Sequence, residues 1–143
     1  RFLPTLAVYA VVHVAVGLPI GVSLLWAIPI IALITVFGAG AAMFTATSQV
    51  YFRDLTNFLP YFTRIWLYTS PILFYAEDVP DRLRPILYCN PMYPMLGSLN
   101  YAVIEGRTPP FGLLAASLAW AVGTIIAGTL FFISREREFA IRL

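Results

Sequence analysis

The residues best equipped for polar chemistry in an apolar setting lie between positions 58 and 75. If this stretch is helical, at about 100° per residue Tyr61, Tyr68 and Tyr75 fall within about 40° of one another, and Arg64 lies about 60° from Tyr61 on the same side. Such a face stacks on the apolar side of sugar rings and hydrogen-bonds at their edges. Trp66, Phe62 and Leu73 occupy the opposite arc, expected toward lipid. An arginine at this depth is costly unless it meets a cavity, a phosphate or a carboxylate. The plainer alternative is a packing face with Arg64 snorkelling to the interface.

A second grouping is Val50-Tyr51-Phe52-Arg53-Asp54-Leu55, an adjacent cation and anion preceded by aromatics. It reads either as an interfacial anchor in an aromatic belt or as a short cytoplasmic element that a partner can push. His13, the only histidine, could relay protons or bind substrate, but a hydrogen bond to a neighbouring helix is the commoner role. The single Cys89, between Tyr88 and Asn90, reads as a packed small residue and excludes an internal disulfide framework. No grouping has metal-ligand spacing. With no lysine and no glycine-rich loop ending in Lys-Ser or Lys-Thr, the sequence offers nothing to hydrolyse a nucleotide, and enzymatic chemistry is not expected of it.

The elements that must position these residues follow from composition. Of 143 residues, 60% are hydrophobic and 11% charged, with a mean hydropathy of +0.83, whereas a soluble domain carries about 25% charge. An ordinary water-soluble globule is excluded. Nine arginines against seven acids leave a net charge of +2, too little for a general nucleic-acid surface. The chain opens at Arg1 without a basic leader, which reads as a fragment or a processed chain.

No formal charge separates Arg1 from Arg53, more than twice the roughly 20 residues that cross a bilayer. The chain must therefore turn once, at Gly17-Leu18-Pro19-Ile20-Gly21. Membrane spans are expected over about 2–16, 23–47, 58–75 and 111–133, with Pro29 able to kink the second. Between the last two, residues 76–110 hold seven charges and six prolines around an uncharged middle broken by Asn90-Pro91 and Pro94. Broken backbone at membrane depth needs shielding by protein or a water-filled cavity. Two short re-entrant helices are expected there in preference to a fifth span. Four spans put Arg1, Arg53, Arg135, Arg137 and Arg142 on one side and Arg82, Arg84 and Arg107 on the other, so the first side is cytoplasmic. A fifth span would reverse that bias. Rows of small residues, Gly38-Ala42-Ala46 and Ala115-Ala119-Gly123-Ala127, predict close helix packing. The fold class is thus an all-α membrane protein with four spans and a re-entrant pair.

The order Phe52-Arg53-Asp54-Leu55, Pro60, Ser70-Pro71-Ile72 with Tyr75, Val79-Pro80 and Asn90-Pro91-Met92 resembles the permease subunits of ABC-2 type transporters, in the polysaccharide and teichoic-acid (O-antigen type) exporter branch. The resemblance implies a six-span subunit of which residues 1–143 are the C-terminal part, spans three to six. It implies a homodimer with a second permease copy around a channel, in the bacterial inner membrane, with the C-terminus cytoplasmic. It implies a separate cytoplasmic ABC ATPase subunit that binds ATP and Mg, none being held by this chain, and export of a lipid-linked polysaccharide, with membrane lipid and no nucleic acid as further partners. By resemblance Phe52, Arg53 and Asp54 belong to a coupling loop, Pro80, Asn90 and Pro91 to an outer gate, and Tyr61, Arg64, Trp66 and Tyr68 to the span that lines the translocation path; the motif does not fix which of them face the channel, and the helical spacing above selects Tyr61, Arg64, Tyr68 and Tyr75, with Arg64 a candidate for the carrier pyrophosphate. An ABC-2 permease for small drugs or lipids would share the architecture. A membrane-embedded glycosyltransferase would need an acidic pair, and Glu77, Asp78 and Asp81 read better as a helix start.

Overall fold

A computed structural model of the chain describes residues 2–52, 54–70, 82 and 87–142. Among them there are helices and no strand, as expected: α1 (Phe2–Val16), a 3₁₀ helix (Val22–Trp26), α2 (Ala27–Tyr51), α3 (Leu55–Thr69), α4 (Met92–Val103) and α5 (Phe111–Arg142). Two runs, Val22–Tyr51 and Phe111–Glu136, are long and apolar enough to cross a membrane. The 3₁₀ turns lie immediately ahead of Pro29, whose missing N–H makes the first turn of α2 the place where it costs least.

The glycine turn after α1 has a specific geometry. Gly17 sits at φ +74°, its N–H donates to the Val14 carbonyl, and the Leu18 N–H donates to the His13 carbonyl. This pair of bonds is a Schellman closure, which favours glycine at the left-handed position. α1 leaves Val8, Val11 and Val14 exposed but buries His13. The imidazole Nδ1 is bonded to the Tyr9 hydroxyl at 3.1 Å, one turn back on the same helix, rather than to a neighbouring helix as the sequence suggested. Its Nε2 has no hydrogen-bond partner among the described residues.

The centre of the molecule is the pairing of α2 with α5. Leu114 packs against the cluster of Ile30, Ala102 and Val103, and Ala121 shares a cluster with Phe37 and Met95. Further along, Met43 meets Thr129, Phe44 meets Phe131 at 4.9 Å between ring centroids, and the Arg135 guanidinium lies 5.4 Å from the Tyr51 ring centre. Numbers rise together on both helices, so the two run parallel. α3 runs against α2, since Gln49 donates to the Thr56 hydroxyl near one end and Phe37 meets Trp66 further along. Gly106, at φ +66°, closes the chain after α4 against Pro19, where a Cβ would lie 2.6 Å from Pro19 Cγ. The turn after α1 and the turn after α4 therefore share one end of the molecule.

Small residues do bring α2 and α5 together, but not in the rows expected. A Cβ on Gly40 would lie 2.6 Å from the backbone of Thr124 and Ile125, and one on Gly128 would collide with the Gly40 carbonyl oxygen. Gly38, Ala42, Ala46, Ala115, Ala119, Gly123 and Ala127 are all exposed instead. Counting helical spacing finds every small-residue row, and the large neighbours decide which is used. Phe37 and Thr47, buried on the same face of α2, select Gly40.

Candidate functional site

α3 presents two unlike faces. Trp66 packs with Phe37, Met95 and Ala121, its ring edge-on to Phe37 at 6.1 Å, and its indole N–H donates to Asn90 Oδ1 at 2.9 Å. Tyr61 and Tyr68, 68% and 62% exposed, lie on the far side together with the exposed Arg64. The tyrosine face is thus turned away from the chain's own core. Trp66 is corrected from the lipid-facing arc to the packed side, because an indole carries a donor that needs an acceptor at this depth and Asn90 supplies it. Phe62 remains exposed, beside the Trp66 ring at 5.5 Å. Tyr75 lies outside the described residues.

Asn90 gathers groups from several elements. Its Oδ1 also accepts the Met92 N–H at 3.0 Å, and its Nδ2 donates to the buried Ser70 hydroxyl at 3.3 Å, which in turn donates to the Trp66 carbonyl. The bond to Met92 is an Asx turn that offers α4 an acceptor for one of its first N–H groups. Pro91 follows, buried, with a helical backbone that leads into α4. From the other flank, the Trp120 indole N–H on α5 donates to the Tyr88 carbonyl at 2.9 Å, and the Tyr88 and Tyr93 rings meet edge to face at 5.1 Å. Cys89, expected to be packed, is exposed. Trp120 is the functional candidate that sequence reasoning passed over: its donor was visible, but the acceptor is a backbone carbonyl that no residue type announces.

α4 starts beside Phe37, where Met92 and Met95 pack, and ends beside Ile30, where Ala102 and Val103 pack. At 12 residues and about 1.5 Å per residue it is about 18 Å long. At the opposite end of the molecule, Phe52 is 70% exposed and its carbonyl accepts the Leu55 N–H, while the Asp54 carbonyl accepts the Asn57 N–H. This reversal places Phe52 and Asp54 between α2 and α3, level with Tyr51 and Arg135. Arg53 and Pro80 lie outside the described residues. Along α5, Phe44, Tyr88, Trp120 and Thr124 border an open groove of about 500 Å³ floored by small residues.

The sequence that folds this way has known relatives. Residues 1–104 match the ABC-2 type transporter family. The chain belongs to that family. Two relatives, both O-antigen export system permease protein RfbA from Klebsiella pneumoniae, are 30% and 31% identical to it over alignments of 115 positions. Each alignment covers 73% of this chain and 44% of the relative, so the chain spans less than half the length of the relatives it matches. No solved structure matches. This ABC-2 chain is therefore an integral membrane protein of that transporter family, as its motif order implied, and is similar over 73% of its length to O-antigen export permeases.

Proposed function

We propose that this permease moves a lipid-linked polysaccharide from the cytoplasm to the outside of the bacterial inner membrane, driven by ATP hydrolysis on a separate ATPase subunit and working as a homodimer. The likeness to O-antigen export permeases carries the cargo class. The four apolar arms take the places of spans three to six, and the turn at residues 52–55 receives the push from the ATPase, at the cytoplasmic end with Arg135 and the C-terminus.

Chain direction supports the re-entrant reading of residues 76–110. α3 heads toward the end where Pro19 meets Gly106, and α5 sets out from that same end. The connection between them therefore makes no net crossing. Within that connection α4 starts level with the middle of α2 and runs toward the same end, a half-length helix as a re-entrant pair requires. Tyr61, Arg64, Tyr68 and Tyr75 form one wall of the translocation path, the opposite wall being the partner copy, and stack the sugars as they pass. Asn90, Pro91 and Pro80 belong to the gate that parts at the outer side.

Deleting the gene in its host and restoring it together with the ATPase gene tests this reading. Surface polysaccharide disappears on deletion, the lipid-linked glycan accumulates inside, and both effects reverse on restoration. Unchanged surface polysaccharide in the deletion strain contradicts it.

A further inference from the structure

We propose that the turn at residues 87–91 is a latch pinned from two sides by Trp66 and Trp120, and that its release opens the path at the outer half of the permease. The proposal rests on the gate reading above and adds the residues that hold the gate shut.

Bonds at this turn fall into two kinds. The Met92 N–H to Asn90 Oδ1, Asn90 N–H to Leu87 carbonyl and Tyr93 N–H to Asn90 carbonyl bonds are internal: turn and α4 keep them wherever they move. Three side-chain bonds tie the turn to its neighbours. α3 contributes Trp66 Nε1, which donates to Asn90 Oδ1 at 2.9 Å, and Ser70 at its end accepts from Asn90 Nδ2 at 3.3 Å. α5 contributes Trp120 Nε1 to the Tyr88 carbonyl at 2.9 Å. The turn can thus shift with the helix start intact, losing these three ties, while Met95, Ala102 and Val103 keep α4 packed in the core. The setting around Phe37, Met95 and Ala121 is apolar, so an indole N–H left without an acceptor is costly there. Such ties favour two discrete arrangements, made or broken, over a gradual loosening. Both tryptophans are positioning residues, since they hold the turn and need not touch cargo.

The test uses the complete permease with its ATPase in proteoliposomes, and reads passive escape of a trapped small anionic dye without ATP. Trp66→Phe and Trp120→Phe keep a ring and remove the donor. Each is expected to raise the leak about two- to tenfold, the worth of one neutral hydrogen bond, and the double variant to multiply the two effects. Trp26→Phe, at the start of α2 away from the turn, leaves the leak unchanged. A purely structural role lowers the amount of assembled complex without raising leak per complex. Should the double variant fail to assemble, Ser70→Ala removes one tie without touching a ring and must still raise the leak. Leak at the unaltered level in assembled Trp66→Phe/Trp120→Phe, or in Ser70→Ala if that variant is needed, overturns the latch. A raised leak in a complex whose unaltered form moves no glycan overturns the cargo assignment and leaves the latch standing.

Discussion

At the residue scale, the phenol face of α3 was legible because tyrosines seven apart coincide on any helix. Which face packs was not, because periodicity gives separation and not direction. Trp66 decided it through Asn90, 24 residues away. Two substitutions test the sugar-path role of the outward face. Tyr68→Ala removes a stacking ring and should slow export of long polymer severalfold, while Tyr68→Phe loses only a hydroxyl and should change it little. Surface chain length at matched expression reads the difference, and equal export by both variants refutes stacking. Close approach at Gly40 gives a second contrast. Gly40→Ala forces a Cβ against the backbone at residues 124 and 125 and should destabilise the permease by about 1–3 kcal/mol or more. Gly38→Ala meets nothing within 4 Å and should be tolerated. Thermal midpoints in detergent compare the two, and equal midpoints refute the close contact.

At the element scale, glycine and proline marked the turns well, since a Schellman closure and a proline-led helix start are written in local sequence. Packing partners were less legible. The parallel pairing of α2 with α5 joins residues some 85 apart, and the exposed small-residue rows looked as suitable as the pair that touches. Breaks at Asn90-Pro91 and Pro94 together with the arginine counts argued for an in-and-out connection between the third and fourth arms. Single cysteines in a Cys89→Ser background check it: Phe52→Cys and Arg135→Cys should label from the cytoplasmic side and Arg107→Cys from the outside. Labelling of positions 107 and 135 from one side refutes the topology. The reversal at residues 52–55 makes a further prediction. Arg53→Ala should leave membrane insertion intact and lower glycan exported per ATP hydrolysed, whereas an unaltered ratio returns this segment to a simple interfacial anchor.

At the scale of the whole molecule, two long parallel helices, a third running against them and a half-length helix between leave the aromatic face of α3 outward, where a second copy can complete a path. Family membership was legible from the order of short motifs. The Trp66–Asn90 and Trp120–Tyr88 ties that join those motifs in space were not, because they depend on depth and direction. The account stands or falls on directional, ATP-dependent movement of glycan. Inverted membrane vesicles containing the complete permease and its ATPase, supplied with radiolabelled lipid-linked polysaccharide on the exposed cytoplasmic face, measure it directly. ATP should carry the label into the lumen, where it escapes an added glycan-degrading enzyme, and a hydrolysis-dead ATPase should abolish that protection. Label that remains fully degradable with ATP present, in vesicles whose complex hydrolyses it, contradicts the account.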